Sequence, residues 1–93
     1  MSKTLEIVVI HEVGLHARPA AMFVKEASRF ESKIMVENLN RGTAAVNARS
    51  ILSVLSLGVN RNDKIRLTID GADEEQAYNA LRNLISGNFA GSG

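Results

Sequence analysis

Apolar residues in this chain recur with two periods, one suited to strands and one to helices, and the switches between them divide it into elements. Thr4 to Ile10 is rich in β-branched residues and reads as a strand; the adjacent Val8 and Val9 imply cover on both faces in part. His11 to Leu15 reads as a loop in which Gly14 lets the chain bend sharply. A helix is predicted from Ala17 to Phe30, with Ala20, Phe23, Val24, Ala27 and Phe30 on its core face. Lys25, Glu26, Ser28 and Arg29 fill its other side. Lys33 to Leu39 and Gly42 to Asn47 read as two strands of a hairpin, joined by the turn formers of Asn38 to Gly42.

The segment from Ser50 to Leu57 is helical but too apolar for one buried face. At about 100° per residue, Ile51, Leu52, Val54, Leu55 and Leu57 span roughly 220° of arc, about twice what a single face needs. Either the helix is sandwiched or part of its apolar surface meets solvent; a small domain favours the second, which suggests docking. Gly58 is placed to end this helix as a left-handed cap. Lys64 to Asp70 then alternates strictly, with Ile65, Leu67 and Ile69 on one face. Asp73 and Gln76 have the spacing of a capping box, and Ala77, Ala80, Leu81, Leu84 and Ile85 form the stripe of a last helix. Gly87 closes it, and residues 88–93 read as a frayed tail. The order β-α-β-β-α-β-α, with a hairpin and a half-buried strand, predicts an open-faced sandwich with helices over one side of a sheet.

A chain of 93 residues predicts a single domain spanning 1–93. Aromatic residues make up 4% and tryptophan is absent, so the core must be aliphatic. The net charge of +1 is too balanced for nucleic-acid binding by bulk electrostatics. No cysteine is present, which excludes disulfides and thiolate metal sites and fits a cytoplasmic setting. The apolar run from Ile7 to Ile10 is too short for a signal peptide or a membrane span. Neither a metal-ligand constellation nor a nucleotide-binding loop appears, so no cofactor is expected.

The candidate chemistry lies in Gly14-Leu15-His16-Ala17-Arg18-Pro19-Ala20. Proline is tolerated in the first turn of a helix, so Pro19 pins a helix start just after His16. This sets an imidazole beside backbone N–H groups, those of Ala17 and Arg18, at the positive end of a helix dipole, where phosphate is welcome. The Arg18 guanidinium adds a fork suited to phosphate. The plain alternative is an exposed loop histidine that merely precedes a helix. Ser50 is placed as an N-cap; Ile51, Leu52 and Leu55 are candidates for a docking patch or, in the plainer view, for core. His11 reads as a strand-end residue.

These residues resemble the HPr family, histidine-containing phosphocarriers of the phosphoenolpyruvate-dependent sugar phosphotransferase system. The likeness runs from Thr4 to Ile85 and rests on four landmarks in order: the His16 segment, Val46-Asn47-Ala48-Arg49-Ser50-Ile51-Leu52, Ser56-Leu57-Gly58 and Gly71-Ala72-Asp73-Glu74. It implies an α+β fold, a four-stranded antiparallel sheet with three helices on one face. It implies that His16 accepts phosphate on Nδ1 from Enzyme I and passes it to an Enzyme IIA domain, with Arg18 steadying the group. The chain would then be a carrier rather than an enzyme, and a monomer. It further implies that Ser50 is phosphorylated where a dedicated HPr kinase/phosphorylase exists, and that Ile51, Leu52 and Leu55 form the shared docking patch. The hairpin around Asn38 to Gly42 reads as longer than is usual for the family. The end, from Leu84 to Phe89, is also similar to its nitrogen-related branch. The alternative is thus a regulatory module of nitrogen control or catabolite repression. It would engage a transcriptional regulator through Ser50 and the 50–57 helix.

Overall fold

The strand with the cleanest alternation lies inside the sheet. The computed structural model describes residues 2–90 and contains β1 (Ser2–Val8), α1 (Ala17–Ala27), β2 (Lys33–Asn38), β3 (Val46–Asn47), α2 (Ile51–Ser56), β4 (Lys64–Asp70) and α3 (Glu74–Ser86). The four strands form one antiparallel sheet in the order β1-β4-β2-β3. Register explains the alternation. Leu5 pairs with Leu67 and Leu67 with Val36, while Ile69 pairs with Ile34, so one face of the sheet is apolar. Ile34, Val36, Ile65, Leu67 and Ile69 are buried there with Ala20, Phe23 and Ala27 of α1, Val54 of α2, and Ala77, Leu81 and Ile85 of α3. Full burial of one such large side chain stabilises by about 1.5–3 kcal/mol. The other face carries Arg66 between its two cross-strand neighbours: Nη2 lies 2.9 Å from Glu6 Oε2 and Nη1 lies 3.7 Å from Glu37 Oε1. This is the open-faced α+β sandwich expected from the element order.

Several boundaries differ from the sequence reading. The first strand runs two residues earlier than Thr4–Ile10, because its register with β4 carries Ser2 to Asp70 and Val8 to Lys64. The first helix stops at Ala27, not Phe30. Its end tightens into i→i+3 bonds from Arg29 and Phe30, and the Ser28 hydroxyl donates back to Val24 O at 2.7 Å. The third strand has shrunk to Val46–Asn47, since small residues at 42–45 give a pleated surface little to pack. Thr43 closes the hairpin instead, donating its N–H to Asn38 O and accepting the Asn38 N–H on Oγ1.

The capping box expected at Asp73 and Gln76 is not formed. Asp73 precedes α3 but makes no side-chain cap bond. Its carboxylate accepts from the N–H of Glu31, at 2.8 Å, and from the N–H and hydroxyl of Ser32. Those bonds, with the Ser32 hydroxyl contributing most, hold its pKa below the ordinary 3.8. Glu74 takes over the local duty by accepting the Gly71 N–H at 3.1 Å.

The frayed tail is also corrected for residues 88–90. Phe89 is only 7% exposed. The N–H of Asn88 donates to Ile85 O and that of Phe89 to Leu84 O, the paired bonds of a Schellman motif. Its left-handed residue is Asn88, with φ of +58°, rather than Gly87. Residues 91–93 lie outside the described residues.

Candidate functional site

The site is built where β1 hands over to α1. Past β1, Val9 still exchanges bonds with the β4 approach: its N–H reaches Asp63 O, and its carbonyl accepts from Asn62. The chain then turns at His11, whose carbonyl accepts the Gly14 N–H at 2.8 Å. Gly14 has a φ of +66°, and a Cβ there would lie 2.2 Å from Val59 O, so two independent constraints demand glycine. Leu15 is fully buried and donates its N–H to Val59 O at 3.0 Å. The loop is thereby fixed to the segment after α2.

His16 comes next, as the N-cap residue of α1, extended at φ −126° and ψ 166°. It is half-buried, and its side chain makes no capping bond. Ala17 has a φ of +51°, unusual for a residue with a Cβ; such strain costs about 1–2 kcal/mol and persists only where the surroundings enforce it. Pro19 is buried and brings no N–H, so the helical ladder starts with Ala20, whose N–H reaches His16 O at 3.4 Å. The N–H groups of Ala17 and Arg18 lie ahead of that bond, at the positive end of the helix. Arg18 itself is exposed. The arrangement can hold an imidazole nucleophile beside donors suited to an anion.

The second cluster sits at α2, which packs against α1. Ser50 caps this helix, its Oγ accepting the Ser53 N–H at 3.3 Å. Val54 and Leu57 are buried, whereas Leu52 is 78%, Ile51 40% and Leu55 37% exposed. Of the two options for this helix, partial exposure is therefore the one adopted. Gly58 ends it in the left-handed region, at φ +59°. Just before Ser50, Arg49 anchors the α1–β2 loop by donating from Nη2 to Phe30 O and, at 2.8 Å, to Ser32 O. Sequence patterning does not single out that anchor, nor the buried Asn38. Asn38 shares the inward parity of Ile34 and Val36, which is the signal available; its Nδ2 donates to Leu57 O at 3.1 Å.

Among the described residues no cluster of three or more His, Cys, Asp or Glu could hold a metal ion, and no helix is long and apolar enough to cross a membrane.

Comparison with known proteins converges on one class. Residues 3–87 match the family model for the PTS HPr component phosphorylation site. The phosphocarrier protein HPr of Treponema pallidum is 42% identical over 81 residues, covering 87% of this chain and 89% of the relative. The multiphosphoryl transfer protein of Vibrio cholerae is 50% identical over 68 residues, 73% of this chain, yet the chain spans only 17% of that protein's length. The crystal structure of HPr-C-His from Thermoanaerobacter tengcongensis superposes with a TM-score of 0.89 at 44% identity, covering 97% of this chain and 98% of that one. The chain belongs to the HPr family of phosphocarriers of the phosphotransferase system, which are carriers and not enzymes.

Proposed function

We propose that this chain relays a phosphoryl group from phosphorylated Enzyme I, charged by phosphoenolpyruvate, through His16 to an Enzyme IIA domain of a sugar phosphotransferase system. The observation that carries the reading is the half-buried His16 ring at the first turn of α1, not spent on capping that turn. The Nδ1 lone pair attacks phosphorus; as the new N–P bond forms, the bond to the donor breaks and its electron pair returns to the donor. Transfer onward is the same exchange with the acceptor as nucleophile. The transition state is loose, so the protein's task is positioning and charge screening. The N–H groups of Ala17 and Arg18 and the Arg18 guanidinium receive the phosphoryl oxygens. Imidazole is a good leaving group, which keeps the bound phosphate transferable.

Ile51, Leu52 and Leu55 are read as the surface that both partners share, exposed apolar side chains on a helix packed against α1. Ser50 is read as the regulatory position, modified by an HPr kinase/phosphorylase where one exists. Phosphorylation there adds up to about two negative charges next to the patch, which opposes an acidic partner and creates a surface for a transcriptional regulator. The carrier is read as working in the cytoplasm and as one copy, the start of α1 and helix α2 of a single chain supplying the residues named for the site.

Incubation with Enzyme I and phosphoenolpyruvate is expected to add one acid-labile, base-stable phosphate, and none to His16→Ala. Uptake by His16→Ala at the wild-type level would falsify the assignment. Ser50→Asp keeps a competent cap while adding charge, so it should weaken Enzyme I binding without lowering thermal stability.

A further inference from the structure

The end of α3 reaches the loop that presents His16. In a Schellman motif an apolar residue at the position of Phe89 usually packs back on its own helix. Here the Phe89 ring also meets the His11 ring edge to face, with centroids 6.0 Å apart and planes at 82°. Its backbone is held at φ +57°, directly after Asn88 at φ +58°. Asparagine tolerates the left-handed region, whereas a bulky aromatic residue does not adopt it without compensation. Burial of the ring supplies that compensation.

His11 is the turning point of the site loop. Its Nδ1 accepts the Val13 N–H at 3.3 Å, and its carbonyl accepts the Gly14 N–H. One side of the loop is thus set by Leu15 on Val59 and the other by His11 on Phe89. Between these holds and α1 sit the extended His16 and the left-handed Ala17, a junction whose unusual backbone needs a fixed approach.

We infer that Phe89 is a positioning residue for phosphoryl transfer at His16, acting through its ring contact with His11 on the β1–α1 loop. The claim rests on the carrier reading above for its kinetic consequence. Its structural content, that the contact sets the His16 ring, can be read without any phosphate.

The test uses the full chain and two readouts: steady-state phosphoryl transfer from Enzyme I and phosphoenolpyruvate, and the NMR resonances of the His16 ring. Phe89→Leu keeps the apolar packing at the helix end and should fold normally, yet it is expected to lower kcat about tenfold, the scale of a small misplacement of a reacting group. KM for Enzyme I should not change, because the α2 patch is untouched. The same variant should shift the His16 ring resonances. His11→Ala should reproduce both effects, and combining the two substitutions should add little further loss, as expected for one shared contact. Ile69→Val, a core truncation at the far end of β4, serves as the control for lost stability and should move neither readout. Unshifted His16 resonances in both Phe89→Leu and His11→Ala would overturn the inference, as would equal shifts in Ile69→Val. If wild type takes no phosphate from Enzyme I, the carrier reading fails, and the resonances still decide whether Phe89 sets the ring.

Discussion

Helix α1 opens on His16, whose side chain makes no capping bond, while α2 opens on Ser50, whose hydroxyl accepts from Ser53 at 3.3 Å. Both N-cap residues have extended backbones, so the difference lies in the cap's side chain and in the residues of the first turn. At α1 a strained Ala17 and a proline lacking an N–H come after the cap. At α2 an ordinary apolar run comes after a satisfied cap. An uncapped first turn is less stable than a capped one, and the donors it leaves near the surface are those an incoming phosphate requires. On the proposed carrier reading, one helix start serves stability and the other serves binding.

Three sets of substitutions test how far this contrast reaches. Gly14→Ala should have the largest effect, because the added methyl meets Val59 O and the backbone sits at a left-handed angle. A loss of about 2–4 kcal/mol is expected from urea unfolding. A wild-type unfolding midpoint would mean that the loop into α1 is not braced as described. Next comes one substitution made at both caps. Ser50→Ala should cost about 1 kcal/mol, and His16→Ala less than about 0.5 kcal/mol, since only the serine satisfies a helix donor. Equal losses in thermal unfolding would erase the distinction between the two starts. The smallest effect concerns α3, where the residue in the cap position is engaged elsewhere. Asp73 is held below its ordinary pKa of 3.8, so its bonds to Glu31 and Ser32 favour the folded state above that value and are lost as the pH falls through the depressed one. The wild-type stability advantage over Asp73→Asn should therefore be full at neutral pH and shrink on acidification. An advantage that stays constant down to strongly acid pH would assign the stabilisation to something other than the carboxylate charge.

The sequence discloses those features that depend on neighbours along the chain. Lys64–Asp70 is legible to the residue because a strand buried on one face must alternate. The start of α1 is legible from Pro19, and the partial exposure of α2 from an apolar arc too wide for one face. The features that escape depend on distant partners. The spacing of Asp73 and Gln76 suggests a local cap, but the carboxylate binds backbone 42 residues earlier in the chain. The ring that Phe89 meets belongs to His11, near the opposite end of the sequence. The left-handed Ala17 has no signature, because nothing about alanine advertises that conformation. The position of His16 is foreseeable; the bracing of its loop from both sides is not.

Strand order has a consequence for how the molecule comes into being. Glu6 and Arg66, joined across β1 and β4, are separated by 60 positions in the polypeptide. While a ribosome is still making the chain, the opening strand has no neighbour to pair with until residues 64–70 have emerged. Helical segments can form from local contacts long before that, whereas the sheet must wait for a large loop to close. The nascent chain therefore carries an unpaired first strand until β4 has been made, a period of exposure to aggregation.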